Sequence, residues 1–510
     1  MKKRMKQILL GIMTLTLMTA LSACQGGTSD ETSSGDETSG TSGNSVVVGI
    51  TQDLDSLDPH KAAYAGTREV LFNLFEGLVK ANSNGDLVPA VASDYTISED
   101  AKTYTFTLRD GITFHDGSPV TVGDIKYSIE RYAGIQGEES AFSNLEEVVV
   151  IDDSTVEVHL KEGNSEFLSE LTCAILPEAN DAQAATNPIG TGPFKFVSFT
   201  AGQNLIVEKY DGYWNAGYPK LDGVEFKIVT DTDTALMELN AGTIDIYQYL
   251  TADQAKSLSS DFNVLEGSVN YVQGMFLNNA VKPFDDVRVR QALYYAIDRD
   301  LINQFLFDGK SHIIGTNMIP AFKKYYNAST ETTYSKNIEK AKALLAEAGY
   351  PDGFTFTITV PNNYAPHEGT AQIIQQSLAE IGVTAKIELV EFTTWYSEVY
   401  TNRNYEATVV AVDGTLSPSS WFSKNLSTSS VNFTNYNNPE FDEIYLQALA
   451  TTDDATKVEL YGKLQTILAE DAASIYVQDP ANLVAINKKL SGYEFYPIAA
   501  QDMSIVYYND

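Results

Sequence analysis

Residues Asn270–Leu301 read NYVQGMFLNNAVKPFDDVRVRQALYYAIDRDL, and this stretch decides the fold. Tyr271, Gln273, Met275 and Leu277 alternate with Val272, Gly274 and Phe276, the period of a strand; Asn278 and Asn279 break it, and a helix starts after Pro283. Asp285 is the expected N-cap, because its carboxylate can accept the unpaired N–H groups of the first turn. Val289, Ala292, Leu293, Ala296 and Ile297 fall at i, i+3, i+4, i+7 and i+8, one apolar face. A strand that leaves one sheet, turns at a polar pair and feeds a helix with its own buried face suits a crossing between two lobes. An ordinary strand, loop and helix fits the same pattern.

Outward from this stretch, the chain begins with Lys2, Lys3, Arg4 and Lys6, an apolar run from Ile8 to Leu21, and Leu21-Ser22-Ala23-Cys24. A basic start, a short apolar stretch and small residues before a cut describe a secretory signal, and the run is short for a membrane span. Leu-Ser-Ala-Cys resembles a lipobox, which makes Cys24 the lipid attachment site; an ordinary signal cleaved near Ala23 leaves a free thiol there instead. Gln25 to Ser45 is almost entirely Gly, Ser, Thr, Asp and Glu, too polar to offset its ordering entropy, and reads as a flexible tether over 24–45.

Of 34 basic residues four precede Cys24, whereas all 68 acidic ones follow it, so the mature chain carries a net charge of −38. Phosphates would be repelled, which argues against nucleic acid as a partner. Acidity fits solubility and, weakly, cationic ligands. Cys24 and Cys173 are the only cysteines; with Cys24 acylated, the protein is built without disulfides and relies on its core. The roughly 465 residues after the tether suit two or three domains.

The body opens on Val46-Val47-Val48-Gly49-Ile50, then a polar loop to His60 and a helix expected over Thr67–Leu78. Tyr104, Phe106 and Leu108 mark a half-buried strand, Ile112 to Phe114 a second, and Thr121 to Tyr132 a capped helix; His115-Asp116 closes a turn. In Asn187-Pro188-Ile189-Gly190-Thr191-Gly192-Pro193-Phe194 no G-K-[ST] follows, so a phosphate loop is excluded. Strands and helices alternate from Phe196 to Tyr247 and again from Asn337 to Asn487, which argues an α/β class.

Three stretches carry a family resemblance: N-N-x-x-x-P-F-D-D-V-R-V-R-Q-A-L-x-x-A-I-D-R from Asn278, the passage from Leu87 to Tyr132, and N-P-x-G-T-G-P-F from Asn187. The chain closely resembles the bacterial extracellular solute-binding proteins of family 5, the dipeptide and oligopeptide class, over residues 46 to 510. The resemblance implies a two-lobed periplasmic-binding-protein-like α/β fold (type II, cluster C) with an extra inserted domain and two hinge crossings. Domain I would comprise 46–85, 188–277 and 488–510, the inserted domain II 86–187, and domain III 278–487. It also implies a lipid-anchored monomer on the outer face of the cytoplasmic membrane, of Gram-positive type, that captures peptides and docks on the transmembrane subunits of an ABC importer.

No catalytic constellation is legible, and no cofactor or metal is expected: the five histidines, His60, His115, His159, His312 and His367, lack metal spacing, and no G-x-S-x-G occurs. A pocket for varied peptides should be lined by aromatics and hold main-chain atoms. By resemblance, Trp395, Tyr396 and Trp421 border the cleft, with Tyr271 from the opening stretch. Asp413, followed by Gly414 and Thr415, stands where dipeptide-type relatives hold the ligand's α-ammonium with an acid; an Asp-Gly turn without a ligand is the plain alternative. Those relatives also place an Arg near the helix that here begins about Glu368, to clamp a carboxylate. This chain has Pro366-His367-Glu368-Gly369-Thr370 and no Arg, and Glu cannot replace a bidentate Arg. A longer peptide, or a ligand without a carboxylate such as a cationic amine or an oligosaccharide, stays open, as do a nickel complex and haem. A secreted hydrolase and a signalling or adhesion lipoprotein are the readings of other classes.

Overall fold

The computed structural model describes residues 43–137, 140–451 and 453–509. Cys24, the signal-like segment and most of the expected tether lie outside the described residues, and the first strand begins at Ser45.

Three large sheets organise the body. The seven-stranded sheet runs, edge to edge, Phe262–Ser268, Ala481–Asn487, Ile246–Tyr247, Ser45–Ile50, Gly223–Ile228, Asn204–Lys209 and Phe194–Thr200. The six-stranded sheet runs His312–Ile313, Ile475–Asp479, Val272–Leu277, Ala407–Val412, Thr355–Pro361 and Thr384–Val390. A four-stranded antiparallel sheet, Ala92–Ile97, Thr103–Leu108, Thr155–Leu160 and Leu145–Val150, is built from the segment expected to be inserted. In the seven-stranded sheet Ser45–Ile50 is parallel to both neighbours, and in the six-stranded sheet Thr355–Pro361 is. Each parallel set therefore points its carboxyl ends the same way, which is where open α/β sheets bind ligands.

The opening stretch forms the expected strand and helix, but the strand does not leave the first sheet. Val272–Leu277 is buried at all six positions and pairs inside the six-stranded sheet, with Ala407–Val412 on one side and Ile475–Asp479 on the other. The chain crosses between sheets at 268–272 and returns at 479–481, so Ala481–Asn487 belongs to the seven-stranded sheet. The boundaries expected at 277/278 and 487/488 each fall one strand too late. The polar pair does a different job: Asn278 Nδ2 donates to Arg403 O (3.2 Å) and Tyr405 O (3.0 Å), and Asn279 Nδ2 to Thr434 O (3.2 Å) and Ala473 O (3.0 Å), stitching loops within the second lobe.

The following helix is Val287–Ala296, and the five apolar positions read from the sequence are at most 2% exposed. Its N-cap is Asp286, not Asp285: the Asp286 Oδ1 accepts Arg288 N at 2.8 Å. The helix expected over Thr67–Leu78 is Ala65–Leu71. It stops because Asn73 is taken by the far end of the chain, its Nδ2 donating to Gln501 O (2.8 Å) and its Oδ1 accepting Met503 N (2.8 Å). Ile112 to Phe114 is no strand but a buried turn with one bridge, Thr113 to Pro119. Gly190 packs this region against the first helix's exit, where a Cβ would lie 2.2 Å from Leu74 O. Cys173 is a free buried thiol, pushed up to about 12 by burial, and so unreactive.

Candidate ligand-binding cleft

A cavity of about 140 Å³ lies where the two parallel sets converge. Native cores hold few voids larger than a water, so a space of this size is not a packing defect. From the first lobe come Gly49 to Gln52 at the end of Ser45–Ile50, Glu69 on the helix Ala65–Leu71, and Gln248 and Tyr249 after Ile246–Tyr247. The second lobe supplies Asn363, Tyr364 and His367 after Thr355–Pro361, Ala411 on Ala407–Val412, and Phe392. Val269, Tyr271 and Pro480 come from the two crossings, so the hinges form one wall.

The backbone is strained at this wall. Asn270 (φ 61°) and Tyr249 (φ 63°) are left-handed without being glycine. Such strain persists only where surroundings hold it; Asn270 Nδ2 donates to Tyr496 O (3.0 Å), and Tyr249 N to Asn482 Oδ1 (3.2 Å). The crossings are tied to each other, Tyr271 N donating to Asp479 Oδ1 at 3.2 Å. Burial pushes the Asp479 carboxyl up to about 8, so it bridges the hinges as a neutral acid at pH 7.

Glu69 is the one carboxylate among the cavity-lining residues. Its Oε1 accepts the phenol of Tyr249 (2.5 Å) and that of Tyr271 (3.4 Å), and burial pushes it up to about 7. His367 is neutral, pushed down to about 3 by burial, and Gln273 Nε2 donates to its Nδ1 at 3.1 Å. Tyr364 meets Tyr249 edge to face at 5.8 Å across the cavity, so aromatics from both lobes face each other.

An ion pair spans the lobes: Arg68, one residue before the cavity-lining Glu69, donates through Nη2 to Asp413 Oδ2, two residues after the cavity-lining Ala411, while its Nη1 donates to Ala63 O (2.7 Å). Burial alone would raise the Asp413 carboxyl, but the Arg68 charge, with Lys424, holds it below the usual range. Gly414 is required beside it, since a Cβ there would lie 2.6 Å from the Trp421 indole. Thr415 N donates to Ser420 Oγ (2.9 Å) and Thr415 O accepts Trp421 Nε1 (3.0 Å), which folds the Asp-Gly-Thr loop onto its own helix.

Of the residues expected to touch ligand, Tyr271 lines the cavity, whereas Asp413 is not among the lining residues and is paired with Arg68. Trp421 (1% exposed) and Trp395 (3%) are core side chains of the second lobe, Trp395 Nε1 donating to Thr408 Oγ1 at 2.9 Å; neither reaches the cavity. Their elements border the cleft, but the indoles turn inward, where apolar area is buried. Tyr396 packs on Tyr64 and Phe392 outside the cavity, and Glu368 accepts Gln372 Nε2 (2.9 Å) on its own helix. Sequence reading missed Glu69, Gln248, Tyr249, Asn363 and Tyr364. The available signal was position: all follow, or return from, the carboxyl end of a parallel strand.

Two α/β lobes, joined by paired crossings with a cavity at the carboxyl ends of both parallel sets, define a binding protein that encloses a small solute. Comparison with known proteins agrees. The family model described as bacterial extracellular solute-binding proteins, family 5 middle, matches residues 86–434. The glutathione-binding protein GsiB of Pectobacterium atrosepticum is 30% identical over 484 residues, covering 89% of this chain and 92% of that protein. Among solved structures, AgaA of A. tumefaciens R10 in complex with agropinic acid has a TM-score of 0.82 at 28% identity, covering 91% of this chain and 99% of that one. DppA of Helicobacter pylori in complex with the peptide STSA has a TM-score of 0.82 at 25% identity, covering 91% and 98%. The chain belongs to the bacterial extracellular solute-binding proteins of family 5.

Proposed function

We propose that this chain is the capture subunit of an ABC importer, anchored by lipid on Cys24 outside the cytoplasmic membrane, and that it binds peptides in the cavity between its lobes and delivers them unaltered. The observation that carries this reading is the cavity itself, walled by both hinges and by the strand ends of both lobes. It is supported by relatives whose names give glutathione and a peptide as what they bind. Capture would be a hinge closure about 268–272 and 479–481. Native mass spectrometry of the freshly purified mature protein tests it: an intact co-purified peptide is expected, and a cleaved product would point to a hydrolase instead.

Asp413 is proposed to act through Arg68, holding the lobes together over the ligand. Asp413→Asn removes the charge that Arg68 faces across the cleft, and the pair is open enough to solvent that the expected loss is modest, on the order of tenfold in affinity. Calorimetry with the co-purified solute measures it. A loss of several orders of magnitude would instead place Asp413 directly on the ligand.

A further inference from the structure

Tyr64 stands just before the helix Ala65–Leu71 of the first lobe, and its ring packs on two rings of the second. It meets Phe392 edge to face at 4.9 Å and 84°, and Tyr396 at 5.8 Å and 62°. The hydrogen bonds at this turn are made by its backbone: Asp55 Oδ2 accepts Ala63 N (2.7 Å) and Tyr64 N (3.3 Å), and Ala63 O accepts Arg68 Nη1 (2.7 Å). Among the described residues the Tyr64 hydroxyl makes no hydrogen bond, so the half-buried ring is held by packing alone.

The second lobe's half of this contact is braced from behind. Phe392 stacks on Trp395 (5.7 Å, 20°), whose indole is fixed by Thr408. Tyr396 stacks on Tyr400 (5.3 Å, 20°), which packs in turn on Phe433 at 5.2 Å. Tyr396 also opens a π-helical turn, Tyr396–Thr401, in which Thr401 Oγ1 donates to Tyr396 O at 3.0 Å. Turns of this width are rare and are found disproportionately at functional sites. Trp395 and Tyr396 do not line the cavity; they build the face on which Tyr64 rests.

That face adjoins the cavity. Phe392 lines it from the second lobe, and Ala65 and Gly66, the two residues after Tyr64, line it from the first, whereas Tyr64 is not among the lining residues. The Tyr64 ring therefore joins a wall of one lobe to a wall of the other from outside the space a solute would fill.

We infer that Tyr64 is a gate: an aromatic clasp on Phe392 and Tyr396, made only when the lobes shut, that sets how long a captured solute is held whatever its side chains. This rests on the peptide-capture reading and adds to it a residue that acts on release rather than on recognition. A solute enters before the clasp forms, so its association rate does not depend on Tyr64. It leaves only after the clasp has parted, so its dissociation rate does. Two edge-on ring contacts, with the area they bury, correspond to about tenfold in that rate.

The test uses two radiolabelled peptides of unrelated sequence, chosen by wild-type capture from a library of di- and tripeptides. Tyr64→Ala should speed the dissociation of both by about tenfold and by the same factor, with association unchanged. Tyr64→Phe should behave as wild type, because the ring and not the hydroxyl makes the clasp. Tyr396→Ala removes one of the two contacts from the other lobe and should speed dissociation less, which decides the matter even where Tyr64→Ala does not fold. Unchanged dissociation in the alanine variants overturns the gate and leaves peptide capture standing. So does a factor that differs between the two peptides, which would make Tyr64 a direct solute contact, or a loss shared by Tyr64→Phe. Capture of no peptide by the wild type overturns the peptide reading, and the gate with it.

Discussion

Glu166→Ala is expected to cost roughly 3–5 kcal/mol of stability, the penalty for leaving a buried charge without its partner. Glu166 comes from the segment after the four-stranded sheet and reaches into the second lobe, where its Oε1 accepts Lys457 Nζ (3.0 Å) and Tyr461 OH (2.5 Å), and its Oε2 accepts Ser419 N (3.1 Å) and Ser417 Oγ. The side chains of Lys457 and Glu166 are 5% and 10% exposed, so solvent screens the pair little. The substitution leaves Lys457 buried with Ser165 Oγ as its remaining acceptor. Denaturant midpoints measure the loss, and the added substitution Lys457→Met should restore most of it, because an apolar pair needs no counter-charge. A loss below about 1 kcal/mol would mean that the pair behaves like a solvated one. The pH dependence has a definite sign. Burial opposes ionisation of Glu166, but Lys457 and the hydrogen bonds prevail and hold its pKa down. Its contribution is therefore full above the unfolded carboxyl range and lost as pH falls through the folded value, so the gap between wild type and variant narrows in acid.

Ala411→Trp is expected to abolish binding, by at least about 100-fold, while leaving the protein folded. Ala411 is the small residue of Ala407–Val412 that lines the cavity, and an indole there occupies space that a solute needs. Filling an apolar-walled space adds burial, so the thermal midpoint should stay within the few degrees that ordinary overpacking costs. Calorimetry with the co-purified solute decides it. Unchanged affinity would show that the solute binds elsewhere.

Much of the fold was legible because it is written locally. The apolar face of Val287–Ala296 follows from side-chain period alone, and the five positions read from it are buried. Where the outcome depended on a distant partner, the reading failed. The first helix ends at Leu71 because Asn73 bonds to Gln501, 428 residues on, and no pattern near Asn73 announces that. The crossing was displaced by one strand because alternation shows that a strand exists, not which sheet accepts it. Asp413 was singled out by position, but its partner Arg68 lies 345 residues earlier. The cavity gathers single residues from loops far apart in the chain, each ordinary in its own setting. A lone Glu in TREVLF looks like a solvated helix position until the fold buries it between two tyrosines.

Small-angle scattering of the mature protein, stripped of its co-purified solute and then saturated with it again, tests the central claim most directly. Two lobes hinged at 268–272 and 479–481 should give a smaller radius of gyration with solute than without. Superimposable profiles in the two states, with binding confirmed by calorimetry on the same samples, would contradict closure around a captured solute.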